Sequence, residues 1–178
     1  MQEIAVTAFA TLFVIVDPVG TTPLFIALTA GMGAAGRRRR ALRAVAVAAG
    51  VLALFALTGD ALLEFIGISM PAFRIAGGLL LFLTALDMLF ERRTERRERR
   101  VEDEMATEDD PSVFPLAIPL IAGPGAIAAI ILLTGGHEGE PAAQAVVFAM
   151  MIAVLAIQLA FFMLGGPIER ALGRTGVM

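Results

Sequence analysis

Residues 4–30 read IAVTAFATLFVIVDPVGTTPLFIALTA. Apart from Asp17 the run carries no charge, and it shows no period-two alternation of apolar and polar residues. A hydrocarbon core of about 30 Å is crossed by roughly 20 apolar residues in a helix. The 27-residue run is therefore long enough to be a membrane span. It follows Glu3 rather than a basic segment and is too long for a signal-peptide core, so it reads as a retained helix. Its midpoint is unusual. Asp17-Pro18-Val-Gly20-Thr21-Thr22-Pro23 sets a carboxylate, two prolines and a glycine at the bilayer centre. Proline removes a backbone donor and clashes with the preceding turn. Glycine permits dihedrals that other residues resist. A carboxylate at that depth costs at least about 2.5–3.5 kcal/mol, so it points to function.

Working outward, four more stretches match the first in length and composition: about Ala41–Leu63, Phe65–Phe90, Val113–Thr134 and Ala142–Gly165. The 178-residue chain is 58% hydrophobic, with a mean hydropathy of +0.82, well above the composition of a water-soluble domain. Charge is concentrated: Glu91–Asp110 holds 15 of the 31 Asp, Glu and Arg residues. The fold expected is all-α, a helical membrane bundle with five spans in a single domain over residues 1–178. A soluble enzyme, a disordered chain and a basic nucleic-acid binder are excluded. The chain has no Cys and one His, His137, which removes thiolate and His-cluster metal sites, Cys nucleophiles and a second catalytic His. No metal or cofactor is expected, and the chain is not read as an enzyme.

Arginine placement gives the orientation. Arg37–Arg40 and Arg43 follow the first span, Arg92–Arg100 the third, and Arg170 and Arg174 the fifth. The loops after the second and fourth spans contain none. Because positive loops stay cytoplasmic, the N-terminus is expected outside and the odd-numbered loops inside. The segment 91–112 is a charged cytoplasmic linker, and Glu95–Arg99 at i,i+4 could extend the third helix.

The sequence also repeats. With Val19 skipped, Pro18–Gly31 aligns with Pro124–Gly136, and Pro18/Pro124, Gly20/Gly125, Ile26/Ile131, Leu28/Leu133, Thr29/Thr134 and Gly31/Gly136 are identical. The offset of 105 residues carries the second span onto the fifth. Three spans separate the copies, an odd number, so the second is inverted: residues 1–90 form the first repeat and 113–178 the second. This is the 3+3 plan of many secondary transporters. The counterpart of the third span would start near residue 176, so a sixth helix is expected beyond this chain, or from a second copy in a homo-oligomer.

The second break, Ala122-Gly123-Pro124-Gly125, lies at the centre of the fourth span. Unwound backbone in the bilayer must face protein, water or a ligand. Half-helices starting near Thr21 and Ala126 offer N–H groups and a positive dipole end to a carboxylate. Asp17 and the freed carbonyls suit a cation or an ammonium. The candidate site for a small polar solute is thus Asp17, Pro18, Gly20, Thr21 and Thr22 with Gly123, Pro124, Gly125 and Ala126. Arg74, near the outer face, could pair with Asp60 or Glu64 or act in gating. Gln158, in the middle of the fifth span, is either helix–helix glue or a site group. His137 reads as a solvated loop residue.

Asp17-Pro-x-Gly-x-x-Pro23, Gly67-Ile-Ser69 followed by Phe73-x-Ile-Ala-Gly-Gly78, and Pro115–Ile127 together resemble the MarC family of prokaryotic inner-membrane proteins. The resemblance extends over essentially the whole chain, and Pro115–Ile127 is its most specific block. It implies a multi-pass protein of the cytoplasmic membrane, with a sixth span that this chain lacks. Some members are associated with neutral amino acid transport. The function expected is secondary transport of a small polar solute, a neutral amino acid, by alternating access about the two breaks, with H⁺ or Na⁺ as coupling ion. The alternative is a non-transporting membrane scaffold or stress-related accessory protein. The partners expected are the solute and the lipid bilayer, with no nucleic acid.

Overall fold

The computed structural model describes residues 1–90 and 112–172, with side chains as far as Gly165. The Arg92–Arg100 cluster, the acidic end of the linker, and the Arg170 and Arg174 side chains lie outside what it describes. Among the described residues the regular structure is helical throughout: α1 (Gln2–Val16), α2 (Pro18–Leu28), α3 (Ala34–Phe65), α4 (Met70–Leu89), α5 (Pro124–Gly135) and α6 (Pro141–Leu172). A wide-turned helical segment, Ser112–Ile121, interrupted at Phe114 and Ile118, precedes α5. Among the described residues, four helical stretches are long and apolar enough to span a membrane: α1 with α2, α3, α4, and Pro141–Gly165 of α6. The Ser112–Ile121 segment with α5 makes a fifth, bent by 54°. The chain is a helical integral membrane protein.

Local chemistry sets the boundaries. α3 takes in Arg37–Arg40, so the second span is helical well before its apolar part begins. It ends where Gly67 adopts a φ of 78°, and α4 restarts on Ser69, whose Oγ accepts from the Ala72 N–H at 3.4 Å. The first half of span four departs from the helix expected over it. Phe114 and Ile118 are extended (φ −124° and −129°), each immediately before a proline. A proline restricts the residue before it to extended backbone, and Pro115 and Pro119 do so twice in five residues. The first half of the span is thus a helical segment interrupted at two residues, and the second half is a regular helix.

Small residues let the helices approach. Ala41, Ala44, Ala48 and Leu52 form a fully buried stripe along α3, which packs on the Ser112–Ile121 segment, α5 and α6. α1 and α2 pack on α6, and α4 packs on α5. Phe25 of α2 stacks on Phe162 of α6 with ring centroids 4.1 Å apart. A Cβ on Gly59 would come within 2.6 Å of Ile131 Cγ1, and one on Gly165 within 3.0 Å of Ile26 Cγ1. On α4 only Gly77 is buried, while Ile75, Leu79, Phe82 and Leu83 are exposed. In water such a face would be a large liability; against lipid it costs nothing.

Candidate functional site

The first break is a single residue. α1 stops at Val16, α2 starts at Pro18, and Asp17 between them is left-handed (φ 56°, ψ 67°). It is the one non-glycine residue with positive φ among the described residues. Asp tolerates this conformation because its short side chain can bond locally. Here Oδ1 accepts the Gly20 N–H at 2.9 Å, so Asp17 caps α2 with its own carboxylate. Gly20 is required by this arrangement, since a Cβ there would overlap the Asp17 carboxylate. The backbone stays partly open: Pro18 brings no N–H for the Val14 carbonyl, and Pro23 none for that of Val19.

Thr21 and Thr22 turn inward and are buried. Thr22 Oγ1 donates to the Pro18 carbonyl at 2.6 Å. Thr21 Oγ1 lies 2.8 Å from the Asp17 carbonyl and 3.1 Å from Gln158 Oε1 of α6. Gln158 is fully buried, and its Nε2 has no hydrogen-bond partner. The structure therefore joins Asp17, Pro18, Gly20, Thr21 and Thr22 to Gln158 in one polar cluster between span one and span five.

The second break differs. Gly123 is extended (φ −80°, ψ 171°), and no side chain caps α5. The first turn of α5 keeps its N–H groups and dipole end available at Gly125 and Ala126. A Cβ on Gly123 would meet the Pro119 carbonyl oxygen at 2.5 Å, which holds the turn to glycine. Gly125 faces α1 and α4: its Cβ position lies 3.5 Å from Ile15 Cγ2 and 3.7 Å from Thr84 Oγ1. Ile15 and Thr84 were not anticipated from the sequence. The signal for Thr84 is a lone hydroxyl in the apolar inner half of α4.

Arg74 is exposed, and the structure does not bring it to Asp60 or Glu64. Asp60 turns instead toward the loop after α5. Its Oδ1 is buried without a hydrogen-bond partner, in the space that the missing Cβ of Gly135 leaves. His137 sits in the α5–α6 loop, 3.8 Å from Glu140. No group of metal-ligating residues occurs among the described residues.

The pattern of breaks extends over a sequence that matches the MarC family integral membrane protein model across residues 2–178. The chain belongs to the MarC family. Similar MarC-type proteins include a UPF0056 membrane protein of Archaeoglobus fulgidus, 38% identical over 170 residues, covering 95% of this chain and 79% of the relative. UPF0056 membrane protein YvbG of Bacillus subtilis is 33% identical over 177 residues, covering 98% and 83%. A UPF0056 membrane protein of Aquifex aeolicus is 35% identical over 176 residues, covering 97% and 80%. These names describe membrane proteins without assigning an activity. No solved structure matches the chain.

Proposed function

We propose that this MarC-family chain is the core of a secondary transporter for a small polar solute, a neutral amino acid, working by alternating access about the Asp17 and Gly123–Gly125 breaks in the prokaryotic cytoplasmic membrane. The observation that carries the proposal is a pair of exchanged contacts. Gly59 of span two packs on Ile131 of span four, and Gly165 of span five packs on Ile26 of span one. Ile26 and Ile131 are equivalents at the 105-residue offset, and the glycines are 106 apart. An inverted repeat of two structurally similar halves requires contacts of this kind.

Three further features support the same reading. α3 and α6 each have 32 residues, and each follows a five-residue loop after a half-helix that begins with proline. The equivalent threonines are both buried and bond alike. Thr29 Oγ1 lies 2.7 Å from the Phe25 carbonyl, and Thr134 Oγ1 lies 2.9 Å from that of Ile130. Span one leans on span five while span four leans on span two, an arrangement in which one half could rock against the other.

In this reading Asp17 and the freed Val14 and Val19 carbonyls receive the solute ammonium or the coupling ion, H⁺ or Na⁺. The N-terminus faces outside and Arg37–Arg43 the cytoplasm. The test is counterflow of a panel of neutral amino acids in proteoliposomes. Flux that saturates and depends on Asp17 is expected. A folded, reconstituted chain that moves no member of the panel under either an H⁺ or a Na⁺ gradient would leave the scaffold reading.

A further inference from the structure

Gln158 is a fully buried amide with an unpartnered donor, and the packing of the bundle does not call for it. In the register set by Gly59 and Gly165, an offset of 106, the position equivalent to Gln158 is Leu52; in the half-helix alignment, an offset of 105, that equivalent to Thr21 is Ala126. Leu52 and Ala126 are as buried as their polar counterparts. The related place, between Leu52 of the first repeat and Ala126 of the second, is thus apolar. Helix–helix adhesion alone would be served by leucine on α6 as it is on α3.

The hydrogen-bond count at the cluster is also unbalanced. Thr21 has one hydroxyl proton and lies near three acceptors: the Asp17 carbonyl at 2.8 Å, Gln158 Oε1 at 3.1 Å and the Pro18 carbonyl at 3.4 Å. The Gln158 amide brings two N–H donors. Whichever way the amide is turned, Thr21 satisfies at most one of them, so at least one buried N–H is left over. A buried donor without a partner is costly unless something fills it.

The end of α2 cannot serve as the anion site at this break. Asp17 already takes the Gly20 N–H and sets its own carboxylate against the positive end of the helix. The donor left at this break is on the neighbouring span. Resting on the transport reading above, we infer that Gln158 Nε2 holds the carboxylate of the solute where spans one and five meet.

The test is thermal unfolding in detergent of the wild type, Gln158→Leu and Gln158→Glu, each titrated with L-alanine, L-threonine and L-leucine. The corresponding amino acid amides, which lack the carboxylate, are run beside them, and chloride is exchanged for gluconate. At least one free amino acid should raise the wild-type unfolding temperature, and its amide should not. Gln158→Leu should raise the half-saturating concentration about ten- to hundredfold, the range of a hydrogen bond to a charged group. Its ligand-free unfolding temperature should hold or rise, since leucine already fills the equivalent position. Gln158→Glu should abolish the response, because it opposes one carboxylate with another. If Gln158→Leu lowers the ligand-free temperature and leaves half-saturation unchanged, Gln158 is helix glue and the inference fails while transport stands. A wild type stabilised by chloride and by no amino acid overturns the carboxylate assignment. A wild type that responds to nothing overturns the transport reading and this inference with it.

Discussion

Replacing Asp17 by Asn and by Ala separates two roles of one side chain. In the structure Asp17 holds a left-handed backbone (φ 56°) and caps α2 through the Gly20 N–H at 2.9 Å. Asn tolerates that backbone and retains an acceptor oxygen, so Asp17→Asn should cost folding under about 0.5 kcal/mol, in line with the near-equality of the two residues as caps. Ala has neither property. It forfeits the cap, about 1 kcal/mol, and adds the left-handed penalty, about 1–2 kcal/mol, for a total of about 2–3 kcal/mol. Unfolding in mixed micelles, followed by far-ultraviolet circular dichroism, measures this difference. Counterflow normalised to folded, reconstituted protein measures the second role. Asp17→Asn should fold like the wild type and lose most of the flux. Full flux in the Asn variant would mean that Asp17 is only a cap, and an Ala variant as stable as the wild type would mean that it is not holding the break.

Gly59→Ala should destabilise the bundle by about 1–3 kcal/mol through overlap with Ile131, and Ile131→Ala should relieve it, whereas Gly78→Ala, with no atom within 4 Å, should be silent. Unfolding midpoints of the singles and the double test this. Thr29→Val and Thr134→Val should each lose one buried hydroxyl bond and cost similar amounts, about 1 kcal/mol. A large disparity between them would argue against structurally equivalent halves. The chain has no Cys, so Arg38→Cys and Glu138→Cys can be labelled without background. Membrane-impermeant maleimide should reach position 138 from outside and position 38 only after permeabilisation, and the reverse would invert the topology.

The spans were legible because length and apolarity alone decide them, and both breaks were legible because Pro and Gly have fixed backbone consequences. Where each break would go was harder. Asp17-Pro18 produces one left-handed residue rather than an unwound stretch, since the aspartate can satisfy the new helix end itself. Pro115 and Pro119 do more damage than expected because each also constrains the residue before it. In the candidate site, the Asp17–Thr22 group follows from local sequence. Its junction with Gln158, 137 residues away, depends on how span five docks, which periodicity does not encode. Arg74 and Asp60 lie apart for a related reason: Gly135 leaves a space on a neighbouring helix, and Asp60 occupies it.

The length of α3 has a mechanical meaning. Its 32 residues measure about 48 Å, some 18 Å more than a bilayer's hydrocarbon core. The overhang is charged at both ends: Arg37–Arg40 and Arg43 precede the apolar middle, and Asp60 and Glu64 follow it. Between Arg43 and Asp60 the uncharged run is 16 residues, about 24 Å. A slip of one 5.4 Å turn in either direction would carry one of these charges toward lipid, at a cost of about 2.5–3.5 kcal/mol at the centre. α3 is thus a post pinned at both membrane faces, and movement of the bundle has to go around it rather than along it.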